Sequence, residues 1–139
     1  MSKLVSQRGP GKYDSLQAAK ELAGYTLRIT SNEKNFPKRY RFTIVAKIQD
    51  RAVDILDKLI MANEIYPNNR TEFERRTLYQ KEARAGCRAL MTLMEVAANT
   101  FRVEAGTLRY WTELAVTTQR LITAWIKSDK ERFEKLNIE

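Results

Sequence analysis

Apolar residues recur along this chain at steps of three and four, the spacing that lines one side of an α-helix. The clearest run is Val45, Ile48, Ala52, Ile55, Leu59 and Ala62. It predicts a helix from Lys38 or Tyr40 to Tyr66, bounded by Asn35-Phe36-Pro37 before it and Pro67 after it. A second row, Val53, Leu56 and Ile60, widens the apolar face. That extra row serves either self-association or a deep position in the core. Tyr79, Ala83, Gly86, Leu90, Leu93 and Ala97 form a second seam, predicting a helix from a Thr71/Glu74 capping box to about Ala98. Leu108, Trp111, Ala115, Thr118, Ile122 and Trp125 predict another, from Ala105 to Lys127. The weakest pattern is Leu16, Ala19, Leu22 or Ala23, and Leu27, over Ser15 to Thr30. No segment alternates as a strand would. Short connections between long helices predict an all-α fold, an antiparallel up-down-up-down four-helix bundle over residues 14–128. Residues 1–13, with Gly9-Pro10-Gly11, read as a flexible basic arm, and 129–139 as a charged tail that extends the last helix in frayed form.

Composition narrows the chemistry. The 139 residues are 43% hydrophobic, enough for one core, and hold only 5 Gly and 3 Pro, too few for a many-turned β-sandwich. There is no His, which removes imidazole metal ligands and His-activated nucleophiles. The single Cys87 excludes a disulfide framework and points to a reducing compartment. Amid small residues of the second seam, Cys87 reads as a buried, inert thiol. No apolar run reaches the roughly 18 residues of a membrane span, and no secretory leader is visible. These features predict a cytoplasmic protein with no membrane, cofactor, metal or catalytic residue. Asp50, Asp54 and Asp57 share a helix face with Lys47, Arg51 and Lys58 as i,i+3 and i,i+4 neighbours, which reads as an ion-pair face rather than a di-metal site.

Charge adds a direction. The net charge is +8, and residues 1–88 carry all of it, with 18 basic and 10 acidic side chains. Lys34, Lys38, Arg39, Arg41, Lys47 and Arg51 face only Asp50 between positions 34 and 51. Phe36, Tyr40 and Phe42 are interleaved with them and are candidates for stacking on bases. Lys81, Arg84 and Arg88 repeat at helical steps on the next helix. Together these nine predict a basic stripe that holds phosphates without sequence preference. The competing expectation is that Glu72, Glu74 and Glu82 neutralise the basic residues of the third helix.

Phe36-Pro37-Lys38-Arg39-Tyr40-Arg41-Phe42-Thr43-Ile44 leading to Lys47-Ile48, Tyr79-Gln80-Lys81-Glu82-Ala83-Arg84 with Arg88 and Leu90, and Trp125-Ile126-Lys127 carry a family resemblance. The chain resembles the accessory variability determinant proteins of diversity-generating retroelements, and the related proteins encoded in 23S rRNA intervening sequences. The resemblance spans residues 14–128. It implies a homopentameric ring of bundles, without catalytic residues, that binds nucleic acid, RNA or DNA, and partners a reverse transcriptase. On matching positions it implies a basic role for Lys38, Arg39, Arg41, Lys81, Arg84 and Arg88. Two other readings stand beside it: an RNA-binding protein without a polymerase, and a helical protein-interaction module.

Overall fold

The computed structural model describes residues 11–136, and among these every regular element is helical. Helix α1 spans Lys12–Thr30, α2 Ala46–Asn63, α3 Arg70–Thr100 and α4 Ala105–Leu136. Each packs against its neighbours in the cyclic order α1–α2–α3–α4. Side-chain pairs fix the directions. Gln49 Nε2 donates to Thr30 Oγ1 at 2.8 Å, while Lys12 lies over the Tyr66 ring. Ile55 meets Gly86 while Tyr40, just before α2, packs on Phe101, just after α3; Thr112 Oγ1 donates to the Met94 sulfur, and Arg76 meets Asp129. Successive helices are therefore antiparallel, and the chain forms the expected four-helix bundle. Residues 1–10, most of the expected basic arm, lie outside the described residues.

The predicted seams form the core with one exception: Leu27 of the first pattern is 40% exposed, and Thr26 and Thr30 face inward there instead, while Leu16, Tyr79, Leu93 and Leu108 are only partly buried. Val45, Ile48, Ala52, Ile55, Leu59 and Ala62 on α2 are all buried, as are Ala83, Gly86, Leu90 and Ala97 on α3 and Trp111, Ala115, Thr118, Ile122 and Trp125 on α4. Each Trp removes about 150–250 Å² from water, about 4–6 kcal/mol of burial at 25 cal/mol per Å². The Trp111 indole N–H donates to Thr26 Oγ1 at 2.8 Å, so the ring is buried without an orphaned donor. At Gly86 an added Cβ would stand 2.9 Å from Ile55 Cγ1, which explains a glycine in mid-helix: α2 and α3 approach too closely there for any side chain.

The helix ends differ from the pattern. The first helix begins at Lys12, three residues before the expected Ser15. Helix α2 stops at Asn63 rather than Tyr66: Pro67 has no N–H to bond back to the Asn63 carbonyl, and its ring would clash with that carbonyl in a continued helix. Asn69, not Thr71, caps α3: its Oδ1 accepts from the Glu72 amide at 2.9 Å, and Glu72 Oε1 accepts from the Asn68 amide at 2.8 Å. The reciprocal capping chemistry is the expected one, moved two residues upstream. The charged tail is the largest difference. It continues α4 without a break to Leu136 and buries Asp129 and Phe133. Arg76 Nε and Nη2 reach the Asp129 carboxylate at 2.6 and 2.9 Å, Gln80 Nε2 donates to it at 3.0 Å, and Arg76 Nη1 donates to the Ile65 carbonyl. Phe133 stacks on Phe73 with ring centroids 4.1 Å apart. These contacts tie the tail to the start of α3.

Candidate nucleic-acid interface

The segment leading into α2 positions four of the nine candidate cations, Lys34, Lys38, Arg39 and Arg41. Pro37, with φ −55°, opens a 3-10 turn over Lys38–Tyr40. A π-turn over Arg41–Val45 follows, closed by the Ala46 amide bonding back to the Arg41 carbonyl. Only then does the α-helix run regularly. Phe36 anchors the segment in the core, 5.6 Å from Phe101 and 6.1 Å from Trp111, both edge-on. Tyr40 packs on Phe101 at 5.0 Å. Two of the three aromatics expected to stack on bases are thus occupied in the protein's own packing. Only Phe42 is free, 87% exposed and in no ring pair among the described residues.

Lys34, Lys38, Arg39, Arg41, Lys47, Arg51, Lys81 and Arg88 are exposed, and Arg84 is half-buried. Arg41 alone meets a carboxylate, at 3.4 Å from Glu33, the residue just upstream of the basic stretch. Among the described residues the other eight form no ion pair within 4 Å. Glu72, Glu74 and Glu82 do not neutralise them; Glu72 is spent on the α3 cap. The expected ion-pair face of α2 is also thin. Of its three possible partners only Lys58 closes on Asp54, at 3.0 Å, and that hydrogen bond and charge raise the Lys58 ammonium above its usual range. Arg39 lies over the Tyr40 ring, 5.0 Å from its centroid, and remains exposed.

The nine do not make one stripe. Lys47 and Arg51 line a groove of about 1040 Å³ between the start of α2 and the end of α3, whose α3 wall includes Leu93, Val96 and Thr100. At about 100° per residue, Lys81, Arg84 and Arg88 lie between about 120° and 180° around α3 from Leu93. They point away from that groove, Arg84 toward the α4 side of the helix and Lys81 and Arg88 outward from the core. The register set by Arg76–Asp129 and Met94–Thr112 places Arg120 and Lys127, both exposed, abreast of residues 79–86. Summing charge over the second part of the chain cancelled these two cations against carboxylates elsewhere on α4 and hid them. Counting only outward positions of the last helix would have found them. Conversely Arg76, one of the basic residues of α3, is buried against Asp129 and is no part of any surface.

Two further side chains can be placed. Cys87 is buried, and burial pushes its thiol up to about 12, so it carries no thiolate near neutral pH. Val53 and Ile60 are each 43% exposed, and Leu56 is partly buried, so the extra apolar row of α2 is not deep core. Among the described residues no helix is long and apolar enough to cross a membrane.

The fold and this surface define a class: a helical bundle with two flanks of unpaired cations and a groove with an exposed aromatic at its rim. Comparison with protein-family models, with curated proteins and with solved structures finds no match for the chain.

Proposed function

We propose that this protein is a non-catalytic accessory protein of a diversity-generating retroelement, binding template RNA or DNA through its cationic flanks and partnering the reverse transcriptase during mutagenic copying. The family resemblance supplies the retroelement, the polymerase partner and the homopentameric ring. The observation that carries the nucleic-acid part is the set of eight exposed or half-exposed Lys and Arg side chains with no carboxylate partner. Neutralised groups would have no charge to offer; unpaired ones release condensed counterions when phosphates bind. The half-exposed Val53 and Ile60 support self-association, since a second copy would cover apolar area that the single chain leaves wet.

Charge reversal tests the reading. Lys38→Glu with Arg39→Glu on one flank, and Arg84→Glu with Arg88→Glu on the other, should each weaken binding of labelled RNA while circular dichroism stays helical. Light scattering of the unaltered protein should give about five times the 16.2 kDa chain mass. A reverse-transcriptase gene with a template repeat next to its own, and co-purification with that polymerase, would separate the retroelement reading from RNA binding without a polymerase. Partner capture that survives both reversals, with no RNA bound, would support the protein-interaction module instead.

A further inference from the structure

The groove at the start of α2 has a property that a simple phosphate cradle does not need. Phe42 stands on its wall and is the most exposed large apolar side chain described. Regular continuation of the α2 seam, upstream from Val45 by three or four, would turn position 41 or 42 toward the core. The π-turn absorbs an extra residue there and leaves the Phe42 ring at the rim, the kind of local irregularity that recurs at functional sites. Ile44, Leu93 and Val96 give the groove apolar walls, and Lys47 and Arg51 give it cations. Its volume of about 1040 Å³ lies at the upper end of small-ligand pockets, ample for a base and its sugar.

Resting on the nucleic-acid reading above, we propose that this groove takes an unpaired base of single-stranded nucleic acid, stacked on Phe42, with Lys47 and Arg51 on the flanking phosphates. A duplex hides its base faces, and an aromatic ring reaches them only by unstacking a step. A single strand presents every face, and stacking on an aromatic tolerates any sequence. The charge around the ring fits a polyanion threading past: Lys38 and Arg39 sit on the preceding turn, exposed and unpaired. Asp50 and Asp54 also line the groove, but Asp54 is held by Lys58, which leaves Lys47 and Arg51 against one carboxylate. Tyr40 and Phe101, packed on each other at 5.0 Å, also line the groove and add to its aromatic surface.

The experiment is fluorescence anisotropy with a labelled oligouridine and with an RNA duplex of the same length, at one fixed salt concentration. The unaltered protein should favour the single strand. Phe42→Ala should weaken single-strand binding about 5- to 150-fold, the range of one base–aromatic stack, and leave duplex binding and the salt slope unchanged. Phe42→Trp should keep the affinity and show quenched emission on binding, since Trp111 and Trp125 are buried and blind to the ligand. Unchanged single-strand affinity in Phe42→Ala, with affinity lost in the Lys38/Arg39 reversal, would overturn the stacking site and leave the electrostatic reading standing. Equal losses for single strand and duplex would overturn it too. No binding of either probe by the unaltered protein would overturn both readings.

Discussion

Replacing Asp129 by Ala removes the carboxylate that accepts three of the hydrogen bonds around Arg76. Arg76 and Asp129 are both buried, the contact is bidentate at 2.6 and 2.9 Å, and Gln80 depends on the same carboxylate. Only the Ile65 carbonyl and the face of Trp125, 5.2 Å away, remain for the guanidinium. Stripping one partner from a buried pair costs about 3–5 kcal/mol, because the other charge stays buried without compensation. For 139 residues at about 2.1 cal/mol/K each, the unfolding entropy is about 0.3 kcal/mol/K. The melting temperature should therefore fall by about 10–17 °C, read by circular dichroism at 222 nm. Replacing both partners, Arg76→Leu with Asp129→Leu, should recover most of that loss, since an apolar pair leaves no orphaned charge. Asp129→Ala costing less than about 1 kcal/mol, the range of an exposed pair, would refute the burial argument. So would a double variant as unstable as the single one.

Gly86→Ala should destabilise by about 1 kcal/mol although alanine is the better helix former: the added Cβ meets Ile55 Cγ1 at 2.9 Å, and overpacking costs about 1–3 kcal/mol against about 1 gained. Urea denaturation checks this, and a stabilised Gly86→Ala would contradict the close approach of α2 and α3. Cys87 should resist a thiol reagent at pH 8 in the folded protein and react at once in denaturant. Its thiol is pushed up to about 12 from an ordinary 9.0, so above pH 9 the unfolded chain loses this proton first. Stability should then fall as pH rises from about 9 to 12, by up to about 1.4 kcal/mol per unit. Cys87→Ala should lack that component of the slope.

The core was legible because burial follows a periodic pattern that local sequence carries. Ile48, Ile55, Leu90 and Trp111 repeat at helical steps, and each is buried. What the pattern did not carry were contacts made by single polar residues across the chain. Asp129 and Arg76 are 53 positions apart, and nothing local marks either as buried. The tail therefore looked merely charged, although one face of it folds onto α3. The start of α2 was half legible. Pro37 announced a break, but only tertiary packing decided that Phe36 turns inward while Phe42 stays out. The cationic residues were found by counting, yet counting along a sequence cannot separate two flanks of one helix. Arg84 and Leu93 are close in the chain and face opposite ways.

In the proposed function, unpaired Lys and Arg side chains act together on a polyanion. The most direct measurement is the dissociation constant for labelled single-stranded RNA between about 50 and 200 mM salt, for the unaltered protein and the Lys38→Glu/Arg39→Glu variant. The logarithm of affinity should fall linearly with the logarithm of salt, at about 0.7 per phosphate contact, and the variant's slope should be shallower by one or two contacts. A flat response in the unaltered protein, or the same slope in both, would contradict the account.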